Sequence, residues 1–471
     1  MTTVLSIDQG TSGTKAVVVD GSGKILGLAE QTVRPHYLPG SGVEQDPQEL
    51  LDSVLETGRA AVAQSGALID IVTIANQGET VLAWDPATGK PLSNMIVWQD
   101  RRAESICAGL AEHRDEFASR TGLILDPYFS APKQAWIRKN VTRDGVVTTS
   151  DSWLVHHLTG EFVTDVSTAS RSLTTDLDST EWDRELLDLF ELGDEPLPKI
   201  LPSDAIAGST SAFGGLMAVG GLIVDQQAAL LAENCLEAGE AKCTFGTGAF
   251  LLANTGTSAT RSTAGLAASV AWTVKDKPTY CFDGQVYTAA SAVRWLQGMG
   301  FIKSASELDV VAATDSGGVL SVPAFAGLAA PWWSPEAKAS LTGMTLSTGP
   351  EHIVLAVLQG IAAQVAELGS LVASDIGHPL QRLRADGGLT QSRVLMQAVA
   401  DLMQIEIDVY PSQHATPLGA AALARVALEP SRTLQDAVVP WSPSTVYEPK
   451  WSADQAAEFR ARWATAVEAT R

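Results

Sequence analysis

The stretch Ile7-Asp8-Gln9-Gly10-Thr11-Ser12-Gly13-Thr14-Lys15 decides how the rest of the chain is read. On either side of it, residues 3–7 and 15–20 are rich in β-branched residues and read as strands. The turn Asp20-Gly21-Ser22-Gly23 leads to a third strand over residues 24–30. Two short strands around a polar, glycine-rich turn with a third strand behind them form a meander. A P-loop would instead run from strand to helix, and Gly10 to Lys15 lacks the Walker spacing between glycines. Glycines in such a turn let the backbone come close to a ligand, and consecutive N–H groups with the Thr11 and Ser12 hydroxyls can surround phosphate oxygens. Asp8, at the end of the first strand, is placed to hold the water shell of Mg2+, which takes one or two carboxylates. A plain solvated β-turn is the competing reading of the same residues.

A second copy of this device lies further along. Residues 242–245, the turn Gly246-Thr247-Gly248 and residues 249–254 again place a small hydroxyl residue between glycines and apolar strands. Strands and helices alternate elsewhere. Asp46 is a good N-cap, Pro47 suits the first helical position, Glu49 completes a capping-box pattern, and Leu50, Leu51, Val54, Leu55, Gly58, Ala61 and Val62 line one face. A buried strand over residues 70–75 ends in Asn76-Gln77-Gly78-Glu79-Thr80, a long apolar helix follows Gly349-Pro350, and a last helix starts at Ser452. The class is α/β, arranged as two similar halves, 1–233 and 234–471, each presenting one phosphate-gripping turn. Asp225 follows Leu222-Ile223-Val224, as a helix cap or as a functional carboxylate at a strand end. Glu79 and Asp100-Arg101-Arg102 follow short apolar stretches and could line the same crevice, though a solvated charge run is the plainer reading for at least one arginine.

Composition narrows the function. The 471 residues are enough for two or three domains, with 45% hydrophobic and 18% charged residues. The 32 Lys and Arg against 54 Asp and Glu give a net charge of −22, which argues against a nucleic-acid or membrane-surface partner. Cys107, Cys235, Cys243 and Cys281 show no CxxC spacing and read as buried residues of a reducing compartment. The seven histidines have no metal spacing, and His113-Arg114-Asp115 lacks the Asn that a protein-kinase catalytic loop requires. With no signal-peptide core and no uninterrupted apolar run of about 18 residues, the expectation is a cytoplasmic protein.

Taken together, these motifs resemble those of the FGGY family of carbohydrate kinases, most closely its glycerol kinase branch. Ile7-Asp8-Gln9-Gly10-Thr11 resembles the first phosphate motif; Asn76–Thr80 and Ile96–Arg102 are similar to segments that shape the polyol pocket. Asp126–Ala131 runs into the first family signature with Lys133 and Trp136 at its fixed points, followed in family order by Asp225-Gln226-Gln227, Gly246-Thr247-Gly248 and a second signature from Ala339 to Gln359. Asp386-Gly387-Gly388 resembles the adenosine-side motif.

The resemblance implies two ribonuclease-H-like domains of the actin-type ATPase arrangement closing over a cleft, with ATP and Mg2+ as cofactors and a small polyol or sugar as partner. It makes Asp225 the general base and Asp8 the residue acting on Mg2+. Gly10, Thr11, Ser12, Lys15, Gly246 and Thr247 would lie along the phosphates, and Gly387, Gly388 and Ser392 along the adenosine. Gly78, Glu79, Trp98, Tyr128, Asp225, Gln226 and Phe250 would form the polyol pocket. Family members are often homo-oligomers, although no interface signal is readable in these residues.

Departures from the family pattern bear on substrate. Gly78 stands where glycerol kinases usually carry Arg, Lys15 replaces Arg, Val224 replaces the Gly before Asp225, Ser334 replaces an Asp, and Ser392 stands where an Asn often meets the adenine. Losing a guanidinium removes up to five donors and opens space, so the expectation is a kinase for a longer linear polyol such as erythritol or threitol. A true glycerol kinase that has replaced the lost contacts, another sugar kinase such as a xylulose kinase, and an actin-like nucleotide switch are the alternatives.

Overall fold

The computed structural model describes residues 2–471. The opening meander forms as expected: Val4–Gly10 pairs antiparallel with Gly13–Val19, which pairs antiparallel with Ile25–Thr32. Ile71–Asn76 adds parallel to the first strand, with Asp8 opposite Ala75. Met217–Gly220 and the two-residue strand Ile223–Val224 both pair parallel with Ile71–Asn76, and Ile206–Thr210 closes the edge.

A second mixed sheet repeats the plan. Ala241–Phe245 is antiparallel to Ala249–Gly256 and parallel to Arg382–Asp386; Lys277–Val286 and Ala267–Val274 extend one side, Glu406–Val409 and Thr445–Tyr447 the other. A likeness too short to detect as a repeat in the sequence is thus a repeat of topology. A five-stranded antiparallel sheet that includes Gly42–Gln45, Val81–Trp84 and Val146–Thr149 is built onto the first lobe beside the acceptor residues.

The central strands Val4–Gly10, Gly13–Val19 and Ile71–Asn76 are buried on both faces, which explains their near-continuous apolar runs. Leu5, Ile7, Ala16 and Val18 pack with Leu50, Leu51, Val54 and Ala61 of the helix Pro47–Ser65. Asp46 caps that helix as anticipated, its carboxylate accepting from the N–H groups of Gln48 and Glu49 at 2.7 and 3.1 Å. On the other face, Val4, Val17, Val19 and Ile71 meet Leu418, Ala421 and Ala424 of the helix Ala415–Leu428, contributed by the C-terminal half of the chain. The helix Pro350–Ile376 is long and apolar enough to cross a membrane, but 83% of its apolar window is buried in the core of the second lobe.

The two lobes meet where the helix Asp225–Ala232 crosses Ala415–Leu428. Gly419 permits the crossing, because a Cβ there would lie inside contact distance of the Ala228 carbonyl. Backbone on both sides leaves nothing to rotate away. Gly419→Val is therefore expected to destabilise the protein by about 1–3 kcal/mol or more, read as a lower urea midpoint at unchanged slope. An unchanged midpoint would remove this crossing from the list of tight interlobe contacts.

Candidate active site

Strand register builds the centre of the site. Asp8 lies opposite Ala75, and Ala75 lies opposite Ile223, so three strand ends stand in one row. Asp225 follows directly as the first residue of its helix, and its carboxyl emerges beside that of Asp8. Burial, reinforced by the charge of Asp8 and opposed by Lys242, pushes the Asp225 carboxyl up to about 7. Burial raises Asp8 to about 6, with Lys15 opposing and Glu30 and Asp386 adding to the rise. Among the described residues neither carboxylate has an ion-pair partner. Two unpaired carboxylates at a cleft, rather than a closed cage, match the way Mg2+ is held with most of its waters retained.

Glu79 is delivered by a tight turn. Gly78 and Glu79 have successive positive φ values of 69° and 42°, and the Thr80 N–H returns to the Gly78 carbonyl at 2.5 Å. The Glu79 carboxylate then meets the Arg171 guanidinium in the interior. Arg171 also reaches Asp283 at 2.8 Å and the Tyr128 hydroxyl at 3.5 Å. Burial raises the Glu79 carboxyl despite Arg171, and burial together with Glu79 holds the Tyr128 phenol well above its ordinary range. Tyr128 is therefore a neutral hydroxyl at working pH.

Lys133 fixes the segment that carries Tyr128. Its ammonium is fully buried and donates to the carbonyls of Pro127, Tyr128 and Phe129 at 2.9, 2.5 and 2.6 Å. Trp98 stands edge-on between Tyr128 and Phe250, with centroids at 5.5 and 6.0 Å, and so bridges the lobes. Its indole N–H donates to Thr11 Oγ1 at 2.8 Å, which ties the acceptor wall to the first phosphate turn. Lys242 donates to Gln226 Oε1 and Thr244 Oγ1 at 2.6 and 2.7 Å and so sets the Gln226 amide.

A cleft of about 750 Å3 gathers Thr11, Ser12, Glu79, Trp98, Tyr128, Asp225, Gln226, Gly246, Thr247 and Phe250. An adjoining recess of about 260 Å3 holds Asp8 and Lys15 and shares Ser12 with the cleft; Lys15 lies 3.3 Å from Glu30. Gly10 sits at the closed end of the first turn, where a Cβ would stand 3.4 Å from the Gly13 carbonyl. Gly387, with φ 93°, lies so close to the second turn that a Cβ would meet the Phe245 carbonyl at 2.5 Å, while Gly388 faces open space. Only a residue without a side chain fits at 387, where the main chain of Phe245 is in direct contact. Ser392 is placed otherwise than expected. It is buried, its hydroxyl donates to Asp309 at 2.7 Å and caps the helix Arg393–Met403, so the side chain is committed to the fold.

Asp100, read with Arg101 and Arg102 as a candidate for the crevice, is fully buried and not among the residues lining the cleft; it accepts from the Val43 N–H at 2.6 Å and pairs with Arg102 at 2.8 Å. At Gly78 a Cβ would make one ordinary contact, 3.4 Å from Val224 Cγ1, while Arg171 brings a guanidinium to Glu79 from a distant segment. Arg171, Asp283 and Lys242 escaped the sequence reading. A lone basic residue among the small and hydroxyl residues of 166–176 was the available signal for Arg171, and a lysine inside an apolar strand the signal for Lys242.

Comparison with known proteins bears on the whole length. The model of the FGGY family of carbohydrate kinases, N-terminal domain, matches residues 3–232, and that of the C-terminal domain matches residues 241–428. Glycerol kinase of Trichlorobacter lovleyi is 39% identical over 491 residues, covering 100% of this chain and 99% of that protein. Glycerol kinase of Alkalilimnicola ehrlichii is 40% identical over 491 residues, with 99% and 98% covered. The crystal structure of Plasmodium falciparum glycerol kinase with ADP superposes with a TM-score of 0.91 at 33% identity, covering 100% of this chain and 98% of that one. A xylulose kinase from Lactobacillus acidophilus shares the fold at 20% identity, with a TM-score of 0.90 and 100% and 98% covered. The chain belongs to the FGGY family of carbohydrate kinases.

Proposed function

We propose that this protein is an ATP-dependent kinase whose acceptor is glycerol, acting in the cytoplasm, with the division between its lobes at 233/234. The observation that carries the reading is an unpaired, desolvated Asp225 carboxylate set between an acceptor wall of Glu79, Tyr128 and Trp98 and the two phosphate turns. Four free, buried cysteines fit a reducing compartment. The longer polyol expected from Gly78 alone is not retained. Arg171 brings a guanidinium to Glu79 from another segment, and the relatives of similar length are glycerol kinases.

In this reading the acceptor lies against Trp98 and Phe250 with a hydroxyl on Glu79. Asp225 accepts the proton of the attacking hydroxyl as its oxygen bonds to the terminal phosphorus and the bond to the ADP oxygen breaks. Thr11, Ser12, Gly246 and Thr247 present N–H and hydroxyl donors from opposite lobes to the phosphates. Asp8 would hold Mg2+ through its waters, and the cation supplies charge neutralisation when bound. Gly387 and Gly388 would lie along the adenosine. Closing the lobes over this cleft excludes water as a competing acceptor.

Asp225→Asn should lower turnover by about 10²–10⁴-fold with little change in nucleotide affinity, measured by coupled ADP release and nucleotide titration; wild-type-like turnover would defeat the assignment. Because the Asp225 carboxyl is raised to about 7, its base form is lost as pH falls through that value. Acceptor kcat/KM should then decline about tenfold per pH unit on the acid side. A panel of glycerol, erythritol, threitol and xylulose at fixed ATP should rank glycerol first. ATP turnover indifferent to every acceptor would favour the nucleotide-switch reading instead.

A further inference from the structure

Arg171 and Asp283 line the floor of the acceptor cleft and are only 3% and 2% exposed. Arg171 comes from the first lobe, Asp283 from the strand Lys277–Val286 of the second. The guanidinium uses Nε on Glu79 and Nη2 on Asp283 and Tyr128, but Nη1 is buried without a partner among the described residues. Asp283 Oδ2 accepts from Arg171 and, at 2.9 Å, from the Gln285 amide, while its Oδ1 is likewise buried without a partner among the described residues. Buried polar atoms are nearly always satisfied, so an orphaned donor and an orphaned acceptor on paired side chains at one cavity wall point to a ligand group that completes both. A hydroxyl does so, because it donates and accepts at once.

We propose that Arg171 Nη1 and Asp283 Oδ1 form a hydroxyl-reading subsite of the acceptor pocket, binding a hydroxyl other than the one phosphorylated. The proposal deepens the polyol-kinase reading and rests on it. It makes specificity a joint property of the lobes: the guanidinium arrives from residue 171 and the carboxylate from residue 283, while Gly78 offers no side chain. Any polyol held here engages both lobes before chemistry begins.

Glycerol, propane-1,2-diol and propane-1,3-diol differ by single hydroxyls and serve as probes. Their binding to the nucleotide-free protein can be followed by the fluorescence of Trp98 and its neighbours, and their use as acceptors by ADP release. The wild type is expected to bind glycerol on the order of 10- to 100-fold more tightly than the diol lacking the read hydroxyl, the range for hydrogen bonds to charged groups. Arg171→Lys keeps a charge beside Glu79 but loses the fork, and Asp283→Leu removes the acceptor oxygen while leaving the Arg171–Glu79 pair intact. Each should weaken glycerol to near the level of that diol, raise the acceptor KM more than it lowers kcat, and leave the ATP KM unchanged. Folded variants that keep the wild-type glycerol-to-diol ratio would overturn the subsite alone. Should Arg171→Lys fail to fold, Asp283→Leu decides by the same ratio. A wild type that binds no polyol defeats both the subsite and the kinase reading.

Discussion

Two carboxylates at neighbouring strand ends, Asp8 and Asp225, repel each other in one crevice, and the surrounding structure answers that repulsion. The parallel pairing of Ile223–Val224 with Ile71–Asn76 forces them together. Lys15 and Lys242 moderate the field from opposite sides, and burial raises both groups above their ordinary range. The arrangement is unfavourable in isolation and is held by the rigidity of a sheet buried on both faces. A divalent cation bound with a polyanionic phosphate, as the proposed kinase function requires, would relieve that tension.

The acceptor side rests on a different principle, the transmission of position through rigid contacts. Lys133 pins three successive carbonyls, so Tyr128 has little freedom. Trp98 touches Tyr128, Phe250 and Thr11, linking both lobes and the first phosphate turn through a single indole. Displacement of any one of these groups is felt by the others. Such coupling suits a reaction whose catalysis is mostly placement.

Much of this was legible from residue order. Strand chemistry around residues 7–15 and 242–254 gave the meanders, and Asp46-Pro47 announced its helix. Carboxylates following apolar runs at 79 and 225 marked the crevice. What stayed hidden depends on contacts between distant segments. Arg171 meets Glu79 across 92 positions, and nothing local to either residue requires the pairing. The burial of Asp100 was not legible from its charged neighbours, because its partner Val43 is 57 positions away. Ser392 resembled a ligand residue because a helix cap and a ligand contact ask for the same short hydroxyl. Gly78 suggested a lost guanidinium because a sequence shows the side chain that is missing and not the Arg171 guanidinium brought to Glu79 from elsewhere in the chain.

At the interlobe crossing, Gly419 rests directly on the main chain of Ala228. Helices ordinarily interlock through rows of side chains, and changing their angle means lifting one row over another. Bare main chain against bare main chain presents no such ratchet at the point of contact. The spacing of the halves is therefore set at this point by main-chain atoms that cannot be compressed, and not by the size of any side chain.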